Sequence, residues 1–186
     1  MANVKTVTYK KIKDTDIKYL YNEKAKYTIL EYNDLNCIHC KNLNKLIENK
    51  IDTLKNVSIY KRNVAYINSG ESLVKTLYGN CVRNDGGDEA WVKYERQSFD
   101  NFERRAEDNI FLSIAKDLVK DKVKFSNCIN SDEEKQKVKQ GRESAVIDGV
   151  NYIPTTYIML DDEVVKRIDT YTAPGVMSFI EHYNNL

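Results

Sequence analysis

A compact β-rich run, Tyr27-Thr28-Ile29-Leu30-Glu31-Tyr32, leads after four residues into Cys37-Ile38-His39-Cys40. Beyond Cys40, residues Leu43, Leu46, Ile47 and Ile51 recur at the spacing of one helical face. Val57-Ser58-Ile59-Tyr60 then alternates as a second core strand. Strand, helix and strand in this order imply a right-handed parallel unit with the two cysteines at its strand-to-helix junction. Few folds accommodate that combination, so it constrains the rest of the chain.

The remainder arranges itself around this unit. Val4 to Ile12 alternates loosely and is expected to be a short first strand. From Ser69 to Leu118 three helical stripes follow: Leu73, Leu77 and Tyr78; Trp91, Tyr94 and Phe99; and Ile110, Ile114, Ala115 and Leu118. Asp85-Gly86-Gly87-Asp88 separates the first two, and the Trp91, Tyr94 and Phe99 face is expected to be core. Ser131 with Glu134 forms a capping box opening a helix that should end near Gly149, and Asp132 to Lys137 reads as its solvated, ion-paired face. Tyr152 to Leu160 and Glu163 to Ile168, joined by Asp161-Asp162, predict a hairpin, and a last helix should start after Thr172 with Pro174 in its first turn.

At 186 residues the chain suits one core with a satellite. Its 29 basic and 28 acidic side chains give no reason to expect a nucleic-acid partner. No apolar stretch is long enough to span a bilayer, and the start, Met1-Ala2-Asn3-Val4-Lys5, lacks the pattern of a signal peptide. Either a cytosolic protein or one whose export signal has been removed is compatible with that.

A Cys-x-x-Cys opening a helix sets its first sulfur over unpaired N–H groups at the positive end of the helix dipole, which favours thiolate over thiol. Cys37 is therefore the candidate nucleophile, and Cys40, one turn further in, the resolving thiol. His39 adds donors or positive charge that would stabilise the Cys37 thiolate, and so make the oxidised pair a stronger oxidant. The competing reading is half of a zinc site, which needs two further ligands. Cys81, Cys128 and His182 are scattered singly, so the redox reading is preferred and no metal or other cofactor is expected beyond the Cys37–Cys40 pair itself.

Ile153-Pro154-Thr155 places one of only two prolines at the entry of a β-rich run, where a proline that cannot donate to a ladder belongs, either as a bland edge residue or as a cis X–Pro bond. Cys-Ile-His-Cys after a strand, with Ile-Pro-Thr ahead of a hairpin and terminal helix, resembles the thioredoxin superfamily and, within it, the DsbA family. Over residues 25 to 186 the resemblance implies an α/β thioredoxin-like fold carrying an inserted helical subdomain. The two halves of that fold would be 1–65 and 129–186, with the insertion at 66–128. That family commonly has Cys-Pro-His-Cys, so Ile38 departs from the pattern and His39 keeps it.

The resemblance further implies that Ile153, Pro154 and Thr155 form a cis-proline loop facing the sulfurs, whose backbone pairs with an extended substrate segment. It implies that Glu31 is a buried carboxylate assisting proton transfer at Cys40; from the residues alone, a strand carboxylate facing solvent is the simpler reading. It also implies a structural disulfide between Cys81 and Cys128, against the alternative of two buried free thiols. The expected activity is that of a protein disulfide oxidoreductase, a dithiol oxidase acting on cysteine-containing proteins. It is expected as a periplasmic or otherwise extracytoplasmic monomer, served by a DsbB-like membrane reoxidase. Alternatives are a reductase or isomerase of the same fold, or a non-catalytic module, zinc-stabilised or chaperone-like.

Overall fold

The computed structural model describes residues 11–67, 69–104 and 109–186. Its strands are β1 (Ile17–Leu20), β2 (Tyr27–Asn33), β3 (Val57–Asn63), β4 (Thr155–Leu160) and β5 (Glu163–Arg167), which form one sheet in the order β1-β3-β2-β4-β5. The helices are α1 (Ile38–Lys50), α2 (Gly70–Asp100), α3 (Ile110–Leu118), α4 (Lys122–Asn130), α5 (Asp132–Ile147) and α6 (Ala173–Asn184). This is the thioredoxin-like α/β fold with a helical insertion, as expected. No helix among the described residues is long and apolar enough to cross a membrane.

β2 lies at the centre, parallel to β3 and antiparallel to β4, and is buried along almost its whole length. A strand covered on both faces has no solvent side, so even its polar residues Glu31 and Asn33 are buried. Its side chains still alternate between two cores. Ile29 joins Leu43 and Ile47 of α1 and Val176, Met177 and Ile180 of α6. Leu30 and Tyr32 join Trp91, Tyr94, Phe99, Phe111 and Phe125 of the insertion. Each fully buried Leu or Ile of the α1 stripe contributes roughly 1.5–3 kcal/mol, which is what presses α1 onto the sheet.

Gly87 divides α2. At φ 72° and ψ −165° it occupies a region open essentially only to glycine, and it turns the chain so that the second half of α2 packs on the first. Tyr94 donates its hydroxyl to the Lys75 carbonyl at 3.2 Å, and a Cβ on Gly79 would stand 3.0 Å from Trp91 Nε1. The break expected at Asp85 to Asp88 and the core assignment of Trp91, Tyr94 and Phe99 both hold. Ser131 caps α5 by accepting from the Glu134 N–H, and Asp161 and Asp162, both at positive φ, form the hairpin turn.

Two elements lie beyond what the sequence suggested. Of the strand expected over Val4 to Ile12, residues 4–10 lie outside the described residues, and Lys11 and Ile12 carry no strand. Among the described residues one edge of the sheet is β1, held by Arg83 donating to the carbonyls of Asp14, Thr15 and Asp16. The helix α4 was not anticipated; Asp121 caps it by accepting from the N–H groups of Val123 and Lys124, and it inserts the single fully buried ring of Phe125.

Candidate active site

Cys37 is the N-cap of α1, with extended backbone, and its Sγ accepts the Cys40 N–H at 3.2 Å. The sequence produces this locally. Asp34 turns the chain out of β2, accepting from the Asn36 N–H at 2.8 Å through its side chain and from the Cys37 N–H at 3.1 Å through its carbonyl. The other carboxylate oxygen of Asp34 accepts from the Ile67 N–H and from the Ser72 hydroxyl, both at 2.7 Å. Burial pushes the Asp34 carboxyl up, and these hydrogen bonds oppose the push. Lys75, fully buried in α2, donates to Asn36 Oδ1 at 2.9 Å. The start of the helical insertion thus grips Asp34 and Asn36, two of the three residues ahead of Cys37.

Cys37 is 5% exposed, while Cys40 is sealed. Both are free thiols. The Cys40 thiol is pushed well up by burial, then by its hydrogen-bonded neighbour Cys37 and by the nearby Glu31 carboxylate. Across from Cys37, its Sγ donates to the carbonyl oxygen of Ile153 at 3.7 Å, although the two residues are 116 positions apart. The Ile153–Pro154 bond is cis. Thr155, buried, donates its hydroxyl to the Tyr152 carbonyl at 2.5 Å and so fixes the loop.

His39 is half-buried, its ring edge-on to Tyr171 with centroids 4.9 Å apart. Tyr171, in the loop before α6, also lies 6.0 Å from the ring of Tyr152, bridging the cysteine motif and the proline loop. Ile38 and Tyr171 are exposed beside the entrance, an apolar rim next to Cys37.

Glu31 faces the interior, not the solvent: it is 1% exposed, and neither of its carboxylate oxygens has a hydrogen-bond partner. Burial, reinforced by Glu95 and partly opposed by Lys61, pushes its carboxyl up to about 7. Lys61, in register on β3, is also fully buried and stands 3.9 Å from Glu31 Oε2. Its closer partners are Glu95, at 2.8 and 2.9 Å, and Asn44 at 2.5 Å.

Asp34, Asn44, Lys61, Lys75, Glu95 and Tyr171 escaped the sequence reading. The signal for two of these was nonetheless there, since Lys61 continues the inward alternation of Ile59 as Glu31 does that of Ile29, and Glu95 falls within the stripe Trp91, Tyr94, Ser98 and Phe99.

The zinc alternative needs two more ligands, and the other two sulfurs are not available. Cys81 of α2 and Cys128 of α4 are bonded to each other. His182 lies at the end of α6 against Tyr183. Asp132 to Lys137 forms the expected ion-paired surface, with Lys137 2.8 Å from Glu134 and 3.0 Å from Glu133.

Residues 14–176 match the family model described as thioredoxin. Among solved structures, α-DsbA1 of Wolbachia pipientis is similar at 19% identity and TM-score 0.72, over 94% of this chain and 93% of that one. Oxidised BdbD of Bacillus subtilis is similar at 17% identity and TM-score 0.72, over 97% and 98%. DsbA2 of Pseudomonas aeruginosa is similar at 20% identity and TM-score 0.65, over 92% and 96%. These likenesses concern the fold, insertion included. No curated protein matches.

Proposed function

Because the chain belongs to the thioredoxin family, we propose that it is a thiol–disulfide oxidoreductase that acts as a dithiol oxidase through Cys37 and Cys40. The observation that carries this reading is the placement of Cys37 Sγ between a helix N-terminus and the Ile153 carbonyl, with Cys40 sealed behind it. A nucleophile at a slightly open position with a buried resolving thiol is the arrangement thiol–disulfide exchange needs.

In the oxidised protein a substrate thiolate attacks Cys37 Sγ. The substrate–Cys37 bond forms, the Cys37–Cys40 bond breaks, and the electron pair leaves on Cys40. A buried thiolate is a poor leaving group, and the elevated position of the Cys40 thiol means that it departs best with a proton. Glu31, with its carboxyl at about 7, holds one under mildly acidic to neutral conditions and is the group assigned to supply it. The substrate's second thiolate then attacks its own sulfur in the mixed disulfide. Cys37 leaves as a thiolate stabilised by the Cys40 N–H, the substrate departs oxidised, and the protein is left reduced.

Ile153, Pro154 and Thr155 align the substrate strand by backbone pairing, and the rim of Ile38 and Tyr171 favours an unfolded, apolar segment. His39 tunes the pair. The same reading places the protein outside the cytoplasm as a monomer, reoxidised by a membrane partner of the DsbB kind.

The deciding experiment is the equilibrium reduction potential of Cys37–Cys40 against glutathione, with alkylation of the reduced protein. An oxidase gives a potential well above the glutathione poise and rapid modification of Cys37 alone. A potential near that of thioredoxin would make the protein a reductase, and protection of both thiols until chelator is added would make it a zinc module.

A further inference from the structure

Lys61 lies fully buried between two buried carboxylates and does not treat them alike. Its ammonium donates to both oxygens of Glu95, at 2.8 and 2.9 Å, and stays 3.9 Å from Glu31. The third direction is taken by Asn44 of α1 at 2.5 Å, and the ring of Tyr19 on β1 covers it at 4.1 Å. With three protons on an ammonium and these three acceptor positions occupied, no donor remains for Glu31. Glu95 itself is anchored from the sheet, since Asn33 donates to its Oε1 at 2.7 Å. It reaches this point from the second half of α2, an element outside the strand–helix–strand unit.

We propose that Glu95, delivered by the helical insertion, is a positioning residue that withholds Lys61 from Glu31 and thereby keeps Glu31 able to exchange a proton with Cys40. The inference rests on the redox reading above for its purpose, but not for its geometry.

The groups facing Glu31 are few. β3 offers Lys61, β4 the neutral Thr156 in register with it, α1 the Cys40 thiol and α2 the Glu95 carboxylate. Tyr19 of β1 lies behind Lys61, with Glu48 beyond it accepting from the Tyr19 hydroxyl at 3.3 Å. Lys61 alone among them favours a charged Glu31. Were it free to turn, it would form a hydrogen-bonded pair with Glu31, fix the carboxylate in its ionised form and remove the proton the exchange step uses. Glu95 acts twice against that outcome, by holding the ammonium and by adding a like charge nearby. Burial also pushes the Glu95 carboxyl up, opposed by Lys61 and Asn33.

The test is a titration of the side-chain carboxyl carbons in ¹³C-glutamate-labelled, oxidised protein, followed by NMR, where neither active-site cysteine titrates. In the wild type Glu31 should titrate at about 7. In Glu95→Gln its midpoint should fall by a pH unit or more, a tenfold or greater rise in its ionisation constant, because the ammonium is released and the like charge removed. In Lys61→Met/Glu95→Gln, which removes the ion pair as a neutral whole and so leaves no buried charge stranded there, the midpoint should stay within one unit of the wild type. An unmoved midpoint in the single variant, or a rise of more than one unit in the double variant, overturns the proposal. The first would mean that Glu95 is only structural, and the second that Lys61 acts on Glu31 at full strength despite it. Exchange with a dithiol peptide is followed in the same samples. A wild type inert towards that peptide would remove the redox reading, while the carboxyl titration would still decide what Glu95 does to Glu31.

Discussion

His39 and Glu31 approach the same cysteine pair from opposite sides, His39 half-buried at the surface beside Cys37 and Glu31 sealed beneath Cys40. Replacing His39 by Ser removes a ring that can carry charge next to the helix N-terminus. The reduced form then loses stabilisation, and the equilibrium potential should drop by about 30 mV or more, the equivalent of a tenfold change in the equilibrium constant. An unchanged potential against glutathione would take the tuning role from His39. Glu31 acts on stability as well. Its carboxyl is raised from 4.5 to about 7 by burial, so between those values the folded chain binds a proton that the unfolded chain has lost. Stability must therefore fall as pH rises through that window, by roughly 3 kcal/mol at most, and the penalty is fully present above it. Glu31→Gln cannot ionise, so urea unfolding of the oxidised variant should show it gaining on the wild type between pH 4.5 and 8. A difference independent of pH would mean that Glu31 is not the titrating group.

The elements differ in how openly the sequence declared them. β2, α1 and β3 were legible because burial on fixed faces imposes periods of 2 and 3.6 directly on the residues, and α5 and the hairpin because Ser131, Asp161 and Asp162 carry local geometry. β1 was not, since four residues at a sheet edge carry almost no pattern and their place is set by Arg83 from a distant helix. α4 was hidden for a similar reason, its single fully buried residue being Phe125. At the site the cysteines and the proline were readable as a motif, whereas Lys75 and Tyr171 matter through contacts between elements far apart in sequence, which no local period encodes. The bend of α2 lies between these cases. Two consecutive glycines announced a break, but only the backbone reveals that Gly87 alone has the conformation that requires glycine. Gly87→Ala should thus cost about 1–3 kcal/mol in chemical denaturation. Gly86 is helical, but a Cβ there would stand 2.5 Å from that of Ala90, so its substitution would act by crowding, not by backbone conformation.

At the scale of the whole molecule the two cysteine pairs divide their labour by position. Cys81–Cys128 ties α2 to α4 across 47 residues within the insertion, and in the chain-entropy account closing such a loop is worth up to about 4 kcal/mol. Cys37 and Cys40 enclose only a helical turn, so joining them restricts the unfolded chain little, while their reduced form gains the Cys40 N–H bond to the Cys37 sulfur. The two pairs should therefore respond to reductant with opposite sign. Heating the oxidised wild type with and without dithiothreitol should give a net loss of melting temperature dominated by Cys81–Cys128. In a Cys81→Ala/Cys128→Ala variant the starting temperature should already be lower, and reductant, now able to act only on Cys37–Cys40, should leave it unchanged or raise it. A further large drop in that variant would make Cys37–Cys40 a structural bridge and remove the basis for reading it as the working pair. The separation also suits the proposed redox cycle. In that cycle a Cys37–Cys40 disulfide would open at every turnover, whereas the α2 that grips Asp34 and Asn36 is fastened by Cys81–Cys128, a bond the cycle would not touch.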